Sequence, residues 1–264
     1  MITNSNIVLT GASSGIGYEV LKLLVKGDGN RILAPALDAE ERLDGFSESV
    51  IPMNVDVGSK EGVDAIFDKA AEVFGGEKID IFYANAGFPY YETFDYVDWD
   101  RIQKIFDVNT LSPIYTYAKY REHLNGRNGI LAYTVSAIGQ MAMPGYALYS
   151  ASKFGLQGFQ QGIRLEAAKN LQITCLYPVA TDTNFFKVAN EVSFEKPFPV
   201  QQPDVVARTM VAGIEKGKKF VSPCSLFALS KVLMGVCPPV RTVYWQLEKN
   251  KLTRFQKKLE ELKK

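Results

Sequence analysis

Tyr149 and Lys153 stand four residues apart in a stretch from Tyr146 to Lys169, where Phe154, Leu156, Phe159, Ile163 and Leu165 recur at helical spacing. On a helix, that spacing puts both side chains on one face. A phenol beside an ammonium group is an acid/base device. Tyrosine exchanges a proton near neutrality only if its pKa falls well below about 10, and a nearby cation favours the phenolate. Such a pair suits a reaction in which a hydride moves to or from a carbon while a proton moves at its oxygen. Far upstream, Thr10-Gly11-Ala12-Ser13-Ser14-Gly15-Ile16-Gly17 follows the apolar run Ile7-Val8-Leu9 and leads into the helical run Tyr18–Leu24. Strand, glycine-rich turn and helix N-terminus in that order make an anion site, because free amides and the positive end of the helix dipole favour a phosphate. Steric needs alone also produce such turns.

These groups need a frame that gathers distant segments. Seven short β-branched apolar runs, at residues 7–9, 31–33, 50–52, 79–83, 130–135, 173–177 and 219–221, alternate with longer helical patterns. That alternation signals βαβ units and an α/β fold with a parallel sheet. From Ser59 to Phe74, for example, Val63, Ile66, Phe67, Ala70 and Phe74 fall at three- and four-residue steps, with Ser59 as N-cap and Gly75-Gly76 as the stop. Without an internal repeat or linker, residues 1–222 read as one catalytic domain and 223–264 as a helical extension of it.

The turn is G-x-x-x-G-x-G preceded by Thr10, and it resembles that of the short-chain dehydrogenase/reductase family. The resemblance continues through Asn85-Ala86-Gly87, Asn109, Ser136 and the Y-x-x-x-K of Tyr149 to Lys153, in the family's order and spacing from about residue 6 to 183. It implies a doubly wound, Rossmann-type sheet of about seven strands with helices on both faces. It also implies that Tyr149 is the general acid or base, that Lys153 lowers its pKa and holds the nicotinamide ribose, and that Ser136 holds the substrate oxygen. Asn109 would bind a water linking Lys153 to solvent. By the same resemblance the cofactor lies on Gly11, Ser13, Ser14, Gly15, Ile16 and Gly17, on Asp56 and Val57 at the adenine, and on Asn85, Ala86 and Gly87. Pro178, Val179 and Thr181 would hold the carboxamide; the family usually has glycine where Val179 stands, so this loop must avoid glycine-only conformations. Each residue alone has a plainer reading: Tyr149 as packing, Lys153 as a solvated charge, Ser136 as a strand-end cap, Asn109 as a helix hydrogen-bonding residue and Asp56 as a loop carboxylate.

Choice of cofactor turns on the end of the second strand, where an acid accepts the 2′-hydroxyl of NAD and a base pairs with the 2′-phosphate of NADP. Ala36 and Leu37 take those two positions. Lacking a carboxylate at Ala36, the chain leans to NADP, unless a shifted loop brings Asp38 to the ribose. The loops expected to face the substrate carry Phe88, Tyr90, Tyr91, Met141, Met143, Tyr146, Phe185 and Phe186. An apolar pocket with one polar corner suits a hydrophobic ketone or secondary alcohol. The alternative is a nucleotide-binding regulatory or scaffolding protein, which would tolerate loss of the proton-transfer group; retention of Ser136, Tyr149, Lys153 and Asn109 argues against it.

The 264 residues carry 30 Lys+Arg against 29 Asp+Glu, a net charge of +1 that offers no chain-wide attraction to nucleic acid. Cys175, Cys224 and Cys237 stand at no metal or redox spacing, and a single histidine, His123, leaves no multi-histidine metal site. With no leader-like N-terminus and no apolar run of spanning length, a cytoplasmic location is expected. The family resemblance implies a homodimer or homotetramer formed through the helices carrying Asn109 and Tyr149. The extension is apolar at Leu226, Phe227, Leu229, Val232, Leu233, Met234 and Val236, and its tail from Arg241 to Lys264 holds eight Lys/Arg against three Glu. We expect it to pack on the domain or a neighbouring subunit, with peripheral contact to an anionic membrane as the other reading.

Overall fold

Each of the seven apolar runs forms a strand, and all seven join one parallel sheet. The computed structural model describes residues 1–166, 169–190 and 192–262. Along the chain come β1 (Asn6–Leu9), α1 (Gly15–Leu24), β2 (Arg31–Ala36), α2 (Ala39–Arg42), β3 (Val50–Asn54), α3 (Lys60–Val73) and β4 (Ile81–Ala84). Then follow α4 (Trp99–Phe106), a π-helical turn (Asp107–Leu111), α5 (Ser112–Leu124), β5 (Gly129–Thr134), α6 (Ala147–Glu166) and β6 (Leu171–Leu176). After these come β7 (Ala180–Thr181), α7 (Phe185–Ala189), β8 (Val200–Gln201), α8 (Pro203–Glu215), β9 (Phe220–Val221), α9 (Ser225–Val236) and α10 (Pro238–Leu262).

The strand order is β3-β2-β1-β4-β5-β6-β9. The chain winds outward from β1, crosses back to β4 and winds the other way, as expected for a doubly wound sheet, whose ligand crevice lies at that reversal. Burial on both faces accounts for the unbroken apolar runs. Val8, Leu33, Phe82 and Leu131 pack with Phe67, Tyr120 and Leu156 of α3, α5 and α6 on one face. Ile7, Leu9, Ile32 and Ile81 pack with Val20, Leu21 and Met210 of α1 and α8 on the other. Alternation along a strand assigns neighbours Ile7 and Val8 to opposite layers.

Helix α3 begins as expected, with Ser59 Oγ accepting a hydrogen bond from the Gly62 amide at 2.9 Å. The helix anticipated from Tyr146 to Lys169 is observed as α6; residues 167 and 168 lie outside the described residues, as do Lys263 and Lys264 of the tail. His123 Nε2 accepts a hydrogen bond from the Ile79 amide at 2.9 Å, tying α5 to the edge of β4. Helix α10 lies across the loops that follow β4 and β6. Its Phe255 is buried against Tyr91 and Phe194, Gln256 Nε2 donates to Thr93 Oγ1 at 2.6 Å, and Arg254 pairs with Glu195 at 2.9 Å. Among the described residues no helix is long and apolar enough to cross a membrane, and the three cysteines are unpaired.

Candidate active site

A cavity of about 690 Å³ is lined by residues that follow β1, β2, β3, β4, β5 and β6 and by one face of α6. The glycine turn forms part of it. Gly11 and Gly15 have φ of +67° and +58°, left-handed conformations that favour glycine. A Cβ on Gly17 would stand 2.2 Å from the Gly11 carbonyl oxygen and 2.6 Å from Asn85 Nδ2, so Gly17 lets α1 seat directly against the turn. No side chain caps α1 and its first turn holds no acid, which leaves its amides for an anion. Thr10 Oγ1 accepts hydrogen bonds from the amides of Asn85 and Ala86, both at 3.0 Å, while Asn85 Nδ2 donates to the Thr10 carbonyl at 3.1 Å. The turn and the Asn85-Ala86-Gly87 segment thus brace one another, and the assembled donor set fits a pyrophosphate.

Ser136, Tyr149 and Lys153 line the same cavity and are 8%, 7% and 3% exposed. Ser136 has φ of 104°, a strained conformation for a residue with a side chain. That backbone turns its Oγ to accept from the Ile138 amide at 3.3 Å, and the Tyr149 phenol also reaches Ser136. Lys153 Nζ donates to the Thr134 carbonyl at 3.0 Å and lies 5.9 Å from the centre of the Tyr149 ring. Burial dominates both titrating groups. It lifts the Tyr149 phenol above its ordinary range, partly offset by the Ser136 hydrogen bond, and lowers the Lys153 ammonium to about 7. The expected lowering of the phenol by Lys153 is not seen in this geometry, because the ammonium is directed to Thr134 and desolvation outweighs its field.

Asn109 does not line the cavity. It sits in the π-helical turn, where its Oδ1 accepts from the Phe88 amide at 3.1 Å and its Nδ2 donates to the Phe88 carbonyl at 2.9 Å and to Ser152 Oγ at 3.1 Å. Gly87 lies between Asn109 and Lys153: a Cβ there would meet Asn109 Oδ1 at 2.8 Å and Lys153 Nζ at 3.3 Å. Asp56 is exposed at the cavity beside Val57, and its Oδ1 accepts from the Gly58 amide at 2.8 Å. Pro178, Val179 and Thr181 line the cavity, and Val179 has no positive φ, so this loop accommodates its side chain. Gly17 stands behind the turn rather than in the wall.

Six of the eight aromatic and methionine residues expected near the substrate, Phe88, Met141, Met143, Tyr146, Phe185 and Phe186, do line the cavity. Tyr90 and Tyr91 do not: Tyr91 stacks on Phe194 with centroids 4.0 Å apart, and Tyr90 lies under the Arg101 guanidinium at 3.6 Å. Both are drawn into a buried cluster with α10, a non-local packing that loop sequence does not encode. Phe198, Phe227 and Tyr244 enter the wall from distant segments with no local signal. Arg42 was also missed, although it lies one helical turn beyond Asp38. The two form an ion pair at the cavity. Burial pushes the Asp38 carboxyl up, but Ser13 and Arg42 outweigh it and hold the group below its ordinary range. The Tyr146 hydroxyl is buried with no hydrogen-bond partner among the described residues.

The family profile described as short chain dehydrogenase matches residues 5–193. The chain belongs to the short-chain dehydrogenase/reductase family, a class of NAD(P)-dependent oxidoreductases. It is 27% identical over 257 residues to a 3-dehydrosphinganine reductase of Danio rerio, covering 90% of this chain and 76% of that protein. It spans between 63% and 76% of the length of four such relatives. A short chain dehydrogenase/reductase of Burkholderia phymatum, solved in complex with NAD, has the same fold with a TM-score of 0.79 at 17% identity, covering 91% of this chain and 97% of that one. A short chain dehydrogenase of Burkholderia cenocepacia in complex with NADP gives 0.76 at 19% identity, covering 92% and 98%.

Proposed function

We propose that this chain transfers a hydride between NAD(H) and a hydrophobic ketone or secondary alcohol, with Tyr149 moving the proton. One observation carries the reading: the cavity that contains the glycine turn also contains buried Ser136, Tyr149 and Lys153, and much of its remaining lining is apolar. When bound, the nicotinamide supplies or accepts the hydride. In reduction, the Tyr149 hydroxyl donates its proton to the substrate oxygen; in oxidation the phenolate takes it back. Burial keeps the phenol in its donor form at neutral pH, which suits reduction. Ser136 orients the substrate oxygen beside Tyr149. Lys153, poised at about 7, exchanges a proton near neutrality and holds the ribose. Asn109 supports the Phe88 backbone behind Gly87 and places the water that connects Lys153 to solvent. Asp56 and Val57, the turn from Gly11 to Gly17, Asn85-Ala86-Gly87, and Pro178, Val179 and Thr181 hold the cofactor.

The lean to NADP rested on the missing carboxylate at Ala36. Asp38 stands two residues further on, adjoining Ser13 and holding Arg42 in an ion pair, where its carboxylate would accept the 2′-hydroxyl of NAD while the guanidinium is already engaged. We therefore favour NAD(H). The unpartnered Tyr146 hydroxyl suits a substrate with a second polar atom, since a buried hydroxyl left unpaired is costly. Residues 223–264 belong to the same domain, because α10 holds both loops that flank the cavity. The unpaired thiols are consistent with a reducing, cytoplasmic location. A homodimer or homotetramer through the helical segments that carry Asn109 and Tyr149 is supported by Phe154, 44% exposed on α6. The test is titration with NADH and NADPH, followed by quenching of Trp99 and Trp245, and then turnover of a panel of apolar ketones. Tighter NADH binding with turnover is expected. Binding without turnover across the panel would leave a nucleotide-binding protein instead.

A further inference from the structure

Helix α9 turns its apolar side away from the body. Its inner side meets the domain through Phe227, which is buried in a cluster with Ala137, Met141 and Val179. Leu226, Leu229, Val232, Leu233 and Val236 are 50%, 68%, 62%, 51% and 81% exposed. At about 3.6 residues per turn all five fall on the half of the helix opposite Phe227. Val243 and Leu247, one turn apart on α10, are exposed as well. Single exposed aliphatic residues are ordinary, but five on one helical face mark a surface that meets something apolar.

Charge identifies the occupant. From Lys216 to Leu247 the chain carries Lys216, Lys218, Lys219, Lys231 and Arg241 and no Asp or Glu. Lys216, Lys218, Lys219 and Arg241 flank the apolar helix in sequence, and Lys231 lies on its inner side, where its Nζ donates to Gln140 Oε1 at 2.9 Å. A second copy would bring this acid-free, cationic segment up to its own like charges with no carboxylate of the segment to pair them. An anionic bilayer complements them at its headgroups, while the acyl boundary takes up the aliphatic side chains. With 12 residues, α9 is too short to span a bilayer, so it would lie in the interface. Phe227, on its inner side, and Tyr244 of α10 also line the cavity. Adsorption through α9 therefore sets one wall of the substrate site against the lipid surface.

We propose that α9 is an interfacial docking helix for an anionic lipid bilayer. The test is flotation of the purified full chain with vesicles of phosphatidylcholine alone, and of phosphatidylcholine with phosphatidylglycerol. Binding to the anionic vesicles is expected, weakened by added salt, and weakened at least about tenfold in the double variant Leu229→Asp with Val236→Asp. Both side chains point into solvent, so the thermal melt and elution volume of the variant should match the wild type, which separates lost docking from lost folding. No flotation with anionic vesicles at low salt, or equal flotation of wild type and variant, overturns the proposal. So does a wild-type oligomer that the variant dissolves in sedimentation equilibrium, because α9 would then be a protein contact. These readouts need neither cofactor nor turnover, so their failure leaves the oxidoreductase reading standing.

Discussion

In the proposed reaction Tyr149 moves the proton, Lys153 lies beside it and Gly17 seats the nucleotide turn, and each can be tested singly. Tyr149→Phe keeps the ring that packs against Phe185 and removes the proton, so kcat/KM should fall by a factor on the order of 10² to 10⁴ with NADH quenching retained. Turnover near wild type would assign the proton to another group. Lys153 offers a test by linkage. Its folded pKa is about 7, against about 10.4 for a free lysine, so between those values the unfolded chain binds one more proton than the folded chain. The contribution of Lys153 to stability is therefore lowest below the folded value and rises with pH through that window. Lys153→Met removes this dependence. Urea midpoints of variant and wild type should differ most at about pH 6, with the variant the more stable, and should approach one another towards about pH 9. Parallel curves would show that burial does not destabilise this ammonium. Gly17→Ala places a methyl group within 2.2 Å of the Gly11 carbonyl and should abolish NADH binding at concentrations that saturate the wild type.

At the scale of elements, the site depends on how helices hold loops. The cap of α3 is local: Ser59→Ala deletes the hydrogen bond to the Gly62 amide and should cost about 1 kcal/mol in chemical denaturation, with little change in kcat. The contacts of α10 are not local. Phe255 packs against Tyr91 of the loop after β4 and Phe194 of the segment after β6, with ring centroids 5.1 and 5.7 Å away. Phe255→Ala should destabilise the chain by about 3–5 kcal/mol if the cavity does not collapse. It should also raise KM for an apolar ketone more than it lowers kcat, because the loops lose their common support while Ser136 and Tyr149 stay on β5 and α6. An unchanged KM would mean that α10 does not hold those loops in place for substrate.

At the scale of the whole molecule, cofactor and fold are linked, since only the assembled sheet brings the six strand-end segments to one cavity. NADH at about one hundred times its dissociation constant should stabilise the chain by about 2.7 kcal/mol, and NADPH at the same concentration by less. Equal shifts in a thermal melt would remove Asp38 from the selection of cofactor. The seven strands and the elements of the nucleotide turn were legible in sequence because their signals are local: a β-branched run buried on both faces needs no distant partner to be recognised, and glycines mark where φ must turn positive. The Tyr149 and Lys153 pair was legible through its helical spacing for the same reason, whereas Ser136 was indicated only by the family resemblance. Tertiary structure alone decided that Asn109 stands behind Gly87 in a π-helical turn, that Tyr90 and Tyr91 join a buried cluster, and that Phe198, Phe227 and Tyr244 complete the wall. It also decided which side of α9 faces out. Eight of the twelve residues of that helix are apolar and they fall on all its sides, so periodicity assigns it no inner face, and only the placement of Phe227 against the domain leaves Leu229, Val232 and Val236 in solvent.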